Sequence, residues 1–329
     1  MIKQIECNLC SSNNYEVIYV KKTKKAKPPA NVKDEYLISE ANVQKPEKVF
    51  KCNGCGLVFA MQDERPGYYI DKYAKMSSDK DYTEEEKGRR LASVRILKRI
   101  GKHKKGGKLL DVGCANGFLL DEARRLGWTT YGVEVSKRAA DNAREKLNLN
   151  VKQGTVEEAA FPDGFFNAIV ILDVLEHLVA PKDTLLELRR ILKNDGILYI
   201  STPNIASFMS RALGAKWWGI NKFHLFYFSK RTSKLMLDAC GLKVKKYSPH
   251  VRIFSVNYWL KRIRCYSGAL YAALNFISRI GNFGKFNLSI NLRDQLEILA
   301  VKARKLDYMA SSAAAKKKRP ARKKMKTIV

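Results

Sequence analysis

Between residues 107 and 203 the chain repeats one alternation: a short unbroken apolar run, then an amphipathic stretch opening on a helix-start signal. The runs "KLLDVG", "TTYGVEV", "FNAIVILDV" and "GILYIST" put apolar side chains on both faces, as parallel strands covered by helices on each side require. The stretches "GFLLDEARRLG", "SKRAADNAREKL" and "PKDTLLELRRILK" have helical spacing, with Ser136 as N-cap, Pro181 in a first turn and Gly127 as a stop. A short strand "NVKQG", a helix "SKRTSKLMLDACG" and strands "LKVKKYS" and "QLEILAVKA" complete the series. This order predicts a doubly wound α/β fold with a mostly parallel, seven-stranded, Rossmann-like sheet.

The first strand runs into "LLDVGCANGF" (109–118), where glycine stands only at 113 and 117. A dinucleotide turn needs a third glycine between these two so that the backbone can approach a pyrophosphate, and Ala115 and Asn116 fill that place. The three-glycine dinucleotide fingerprint is therefore not met, although the place is one where such folds hold a nucleotide-like ligand. Charge narrows the ligand. Residues 109–204 hold 11 Lys/Arg against 14 Asp/Glu, although the whole chain carries +30. A slightly acidic centre between strongly basic flanks implies a neutral or cationic ligand inside and an anionic surface outside.

Five segments in order, "LDVGCANGF", "YGVEVS", "FPDGFFNAIVILDVLEHLVAP", "RRILKNDGILYISTPN" and "FHLFYFSKRT…LMLDACGLKV", resemble class I S-adenosylmethionine-dependent methyltransferases over roughly residues 85–250. Quinone-type O-methyltransferases and enzymes that methylate bacterial surface sugars share most of the pattern. The resemblance implies that Asp111, Gly113, Cys114 and Gly117 surround the methionine moiety, and that Glu134 and Val135 receive the ribose. It places Thr155 and Val156 at the adenine, where relatives normally carry an acid, and Asp173 beside the methyl group. A hydroxyl acceptor also needs its proton removed, which makes His177 and His224 the candidate bases. In quinone-type relatives the acid-x-x-Glu-His pattern, here Asp173 to His177, accompanies a divalent metal near the acceptor; a cap on the next helix is the plainer reading of Glu176 and His177. Tyr227, Asn204 and Trp217/Trp218 are expected to shape the acceptor pocket, with the tryptophans equally suited to the core. The implied reaction is methyl transfer to a small-molecule or glycan acceptor, lipid-linked sugars included, at oxygen.

Cys7-x-x-Cys10 and Cys52-x-x-Cys55 have the two-residue knuckle spacing of a four-thiolate structural zinc site, and a similar piece precedes some sugar methyltransferases. Paired CxxC motifs and a start, "MIKQIECNLC", without an apolar run suggest a reducing, cytoplasmic location. Cys114, Cys240 and Cys265 are expected to be small buried residues. The sequence divides into a zinc-ribbon-like module (1–60), a linker with a helical lead-in (61–108), the core (109–250), a basic amphipathic helical insertion (251–285), a final strand region (286–309) and a disordered basic tail (310–329). From Ala239 to Arg293 there is no acid and ten Lys/Arg, and the longest charge-free apolar stretch there, Cys265 to Ser278, is 14 residues. A span needs about 20. Peripheral contact of the enzyme with an anionic membrane is therefore expected. An RNA methyltransferase is the alternative reading, disfavoured because "LDVL" stands where base-amino methylases carry their (N/D)PP(Y/F) tetrapeptide. A non-enzymatic zinc-ribbon adaptor would not need Asp111, Gly113 and Glu134 intact.

Overall fold

The computed structural model describes residues 6–20, 45–60, 84–264 and 266–303. The lysine-rich loop at 21–30, most of the lead-in at 61–83, Cys265 and the basic tail lie outside the described residues. Three strands come first, β1 (Tyr15–Val20), β2 (Lys48–Cys52) and β3 (Val58–Ala60), then helix α1 (Glu86–Gly101). The core alternates β4 (Gly107–Val112), α2 (Phe118–Arg125), β5 (Trp128–Glu134), α3 (Lys137–Leu147), β6 (Val151–Gln153), β7 (Phe166–Leu172), α4 (Pro181–Ile191) and β8 (Leu192–Pro203). After it come α5 (Phe208–Leu213), β9 (Phe226–Tyr227), α6 (Lys230–Ala239), β10 (Leu242–Pro249), β11 (Arg252–Ser255), α7 (Val256–Arg264), α8 (Gly268–Ile280), β12 (Asn287–Ile290) and β13 (Gln295–Lys302).

Seven strands form the central sheet in the order β10-β13-β8-β7-β4-β5-β6. Pairs among β4 to β8 are parallel; β13 runs antiparallel between β8 and β10. The unbroken apolar runs have a simple cause. Successive residues of one strand enter opposite layers: Leu110, Ile169, Ile171, Leu198 and Ile200 pack in one, and Leu109, Ala168, Val170, Ile197 and Tyr199 in the other. The expected caps are present. Ser136 Oγ accepts the Ala139 N–H, and Pro181 occupies the first turn of α4.

Two differences from the sequence reading matter for function. The N-terminal segment shares a sheet with the core, because β3 pairs with β9 through Val58–Tyr227 and Phe59–Phe226, and Leu57 and Phe59 join the core layer holding Phe226 and Phe228. The insertion is not purely helical: β11 and β12 form a two-stranded ribbon that closes the α7–α8 pair. That ribbon is fixed to α1, since Glu85 accepts hydrogen bonds from the Ser255 N–H and Oγ. A side chain at Gly88 would meet the Ile253 carbonyl at 2.4 Å, so glycine lets the ribbon lie directly on α1.

Candidate active site

Strand β4 ends in a turn held in left-handed backbone at three of five residues: Gly113 (φ 73°), Ala115 (φ 47°) and Gly117 (φ 80°). Sterics impose this conformation. A Cβ on Gly113 would reach Val174 at 2.6 Å, and one on Gly117 would reach Leu149 at 2.5 Å and Ala143 at 3.1 Å. The turn thus lies between the loop after β7 and helix α3. The Gly113 and Cys114 N–H groups donate to the Val133 carbonyl, at 2.9 and 3.2 Å. Glu134, at the end of β5, bridges the two turns: one carboxylate oxygen accepts the Ala115 N–H and the other the Ser136 N–H, both at 2.8 Å. The Val135 N–H is a third donor, so three of the carboxylate's roughly four lone-pair sites are engaged. Burial pushes Glu134 above the usual carboxylate range, against the pull of three backbone N–H groups. Asp111, buried in β4 opposite Gly132, is pushed up to about 7 by burial and then by the nearby Glu134 charge. A cation bound beside the turn would draw these two buried acids toward their ionised forms.

The other expected residues stand around the same edge of the sheet. Cys114 is buried beneath the turn and Val135 is half-buried beside it. Thr155 and Glu158 form a reciprocal cap, each side chain accepting the other's backbone N–H, while Val156 is buried in the core. Asp173 follows β7 in left-handed backbone (φ 54°), exposed, with its carboxylate held by Ser201 Oγ at 2.7 Å and by the Gln295 amide. A non-glycine residue in that conformation is strained, as is common at functional sites.

Past Asp173, His177 and His224 meet edge to face, with ring centroids 4.7 Å apart. His177 Nδ1 lies 2.8 Å from the Phe223 carbonyl and His224 Nδ1 lies 2.6 Å from that of Gly219. A carbonyl can only accept, so both protons sit on Nδ1 and both Nε2 atoms carry lone pairs. Burial lowers His177 to about 4 and drives His224 well below the usual imidazole range, so both are neutral at pH 7. Glu176 is buried; one oxygen accepts from Thr202 Oγ1 at 2.9 Å and the other has no hydrogen-bond partner. Burial and the Asp173 charge raise it well above the usual carboxylate range. Ligand atoms of Glu176, His177 and His224 all lie within 4.8 Å of one another. One carboxylate and two Nδ1-anchored imidazoles suit a divalent transition ion. Asp173, the first acid of the sequence pattern, is not part of that cluster and faces Ser201 and Gln295 instead.

Residues 83–247 match a family model described as "Methyltransferase domain". The chain belongs to that methyltransferase family. It is 30% identical over 124 residues to a ubiquinone biosynthesis O-methyltransferase of Actinobacillus pleuropneumoniae, covering 34% of this chain and 53% of that protein. It is 34% identical over 105 residues to the Nitrosococcus oceani protein of the same name, covering 30% and 44%. The chain spans about half the length of the curated relatives it matches. Among solved structures, a complex between the Haloferax volcanii Trm112 methyltransferase activator and a methyltransferase aligns over 74% of this chain and 100% of the matched chain, with TM-score 0.50 and 17% identity. That likeness concerns the fold alone. The fold is an α/β methyltransferase fold with a central, mostly parallel seven-stranded sheet.

Several parts of this methyltransferase's site were not read from its sequence. Arg252, the first residue of β11, lies over the Trp218 ring at 4.4 Å and donates to Asp294 at 2.7 Å; its second terminal nitrogen is buried without a hydrogen-bond partner. The Trp218 indole N–H also donates to Asp294, at 2.5 Å. Trp218 and His224 are in turn edge to face, 6.2 Å apart, so one wall runs from His177 to Arg252. Trp217 and Tyr227 are core residues, and Asn204 caps the following turn through the Ala206 N–H. The only sequence signal for this wall was aromatic density.

The four N-terminal cysteines converge. Sγ atoms of Cys7 and Cys55, and of Cys10 and Cys52, are 3.5 Å apart, and all four lie within 4.8 Å of one another. A tetrahedral ion with metal–sulfur bonds of about 2.3 Å would hold its sulfurs ~3.8 Å apart. The two knuckles have the same backbone. Ser11 (φ 57°) donates to the Cys7 carbonyl and Gly56 (φ 79°) to that of Cys52, each at 2.8 Å; Cys7 and Cys52 donate to the Ser12 and Leu57 carbonyls at 2.9 Å. The donor set and the paired knuckles fit zinc.

Proposed function

We propose that this chain transfers the methyl group of S-adenosylmethionine to an oxygen of a small-molecule or glycan acceptor. The observation that carries the reading is Glu134, whose buried carboxylate bridges the turns after β4 and β5 and keeps acceptor capacity for a ribose hydroxyl. Asp111 and the turn receive the cationic methionine end, where binding of an ammonium and a sulfonium draws the carboxyl towards its ionised form. The sulfonium is already activated, so in-line placement supplies most of the acceleration. The acceptor oxygen attacks the methyl carbon, the carbon–sulfur bond breaks, and the neutral thioether leaves. A neutral His177, its Nδ1 proton held by the Phe223 carbonyl, takes the hydroxyl proton at Nε2. The nearby Asp173 charge favours the resulting imidazolium.

Alternatively, Glu176, His177 and His224 would hold a divalent ion, with His177 Nε2 as a ligand instead of the base, and the ion would supply polarisation of the acceptor hydroxyl when bound. Zinc at Cys7, Cys10, Cys52 and Cys55 would be structural, steadying β3 and hence the β9 segment that follows His224. The similarity to ubiquinone biosynthesis O-methyltransferases supports oxygen as the acceptor atom.

The test supplies the purified protein with methyl-labelled S-adenosylmethionine and fractionated small-molecule, lipid and RNA extracts. Label in an alkali-stable methyl ether of the small-molecule or lipid fraction is expected. Label confined to RNA would overturn the acceptor reading.

A further inference from the structure

We propose that residues 256–290 are a docking face for an anionic lipid surface. Eight of the 17 large apolar side chains exposed among the described residues fall between Tyr266 and Leu288, far more than scattered exposure would place there. On α8, Leu270, Ala273, Ile277 and Ile280 recur at helical spacing and are all exposed; Phe276, Phe283 and Phe286 extend the stripe. Only Leu260 of α7 and Ser278 of α8 are buried, so among the described residues nothing covers the apolar side of the helix pair.

The charges select the occupant. Lys261, Arg262, Arg264, Arg279 and Lys285 belong to the same segment, residues 256–290 contain no acid, and Lys261 lies 3.7 Å from Glu84. A second copy of this face would bring like charges together. Nucleic acid would meet the cations but give no return for burying Ile277, Ile280 and Phe276. An anionic bilayer interface accepts both: apolar side chains enter the acyl boundary while Lys and Arg stay among phosphates. The face cannot span, since α8 has 13 residues and no described helix is long and apolar enough to cross a membrane.

Docking here also orients the site. The ribbon at the base of the helix pair begins with Arg252, which stacks on Trp218 at the end of the His177–His224 wall, and Tyr266 donates to the Lys216 carbonyl one residue before the tryptophans. A docked face therefore brings the acceptor side to the lipid surface, an orientation whose use rests on the proposed methyl transfer, though the docking does not.

The experiment is flotation of the full chain with phosphatidylglycerol-containing and pure phosphatidylcholine vesicles. Two variants are compared with the wild type, F276S/I277S/I280S and R279E/K285E, each confined to exposed side chains and checked by circular dichroism and by calorimetry with S-adenosylmethionine. The expected results are wild-type recovery on anionic vesicles only, weakened by salt, and about a tenfold loss of partitioning in each variant. The tail at 316–326 is unchanged throughout, so equal flotation of all three proteins would assign any lipid binding to it and overturn the proposal. A wild-type dimer dissociated by F276S/I277S/I280S, or retention on RNA without flotation, would overturn it as well. Unchanged cofactor affinity in the variants separates failure of docking from failure of the methyltransferase reading.

Discussion

Replacing Asp111 by asparagine should make the ligand-free protein more stable at neutral pH while destroying its affinity for S-adenosylmethionine. Asp111 is buried in β4 and pushed from 3.8 to about 7, first by burial and then by Glu134. Below pH 4 the carboxyl is protonated in both folded and unfolded chains and contributes no difference. Between pH 4 and 7 the unfolded chain releases the proton and the folded one keeps it, so stability falls as pH rises; above 7 the loss is complete, roughly 4 kcal/mol for a shift of about three units. Asparagine has nearly the same shape and does not titrate. The stability advantage of D111N over wild type should therefore grow by about 2.5 kcal/mol between pH 5 and pH 8, whatever constant offset the amide brings. Urea unfolding of both proteins across that range, without ligand, measures it. Conversely, cofactor binding to the wild type at pH 6 should release a proton, visible as a buffer-dependent calorimetric enthalpy. A stability difference that stays constant from pH 5 to 8 would refute the assignment of Asp111 as a buried acid held for a cationic ligand.

If zinc occupies the four-cysteine site, chelating it should lower acceptor turnover by at least about tenfold while changing cofactor affinity by less than about twofold, because β3 pairs with the segment beside His224; equal loss of both would contradict that route. His177→Gln should reduce kcat by about 10²–10⁴ with the cofactor dissociation constant unchanged, and a normal rate in that variant would remove His177 as the base. Gly117→Ala should cost about 1–2 kcal/mol, since alanine would be forced to φ 80° with its Cβ at 3.1 Å from Ala143; thermal unfolding within error of wild type would show that the turn relaxes freely.

Local signals made the central sheet legible. Strands such as "FNAIVILDV" supply both layers from consecutive residues, and Ser136 and Pro181 each mark a helix start by a hydrogen-bonding or backbone property they carry alone. The turn residues Gly113 and Gly117 were legible for the same reason. The β3–β9 pairing was not, because a strand of two residues has no periodicity and its partner lies more than 160 residues away. Nor was the Arg252–Asp294–Trp218 contact, whose members are brought together only when the ribbon folds back over the sheet. At the position expected to meet the adenine, Thr155 is engaged by Glu158 three residues on, a pairing "TVEE" permits but does not announce.

The central claim is that Glu134 is the ribose acceptor of an S-adenosylmethionine site, and titration calorimetry of S-adenosylhomocysteine into wild type and Glu134→Ala tests it most directly. Removing the carboxylate leaves the bound ribose without its charged acceptor and loosens the Ala115 and Ser136 N–H groups it holds. The predicted result is one site per chain in the wild type and a loss of about 1–3 kcal/mol in the variant, or roughly 5- to 150-fold in affinity. Binding by Glu134→Ala as tight as wild type, in a protein that unfolds cooperatively, would contradict the account.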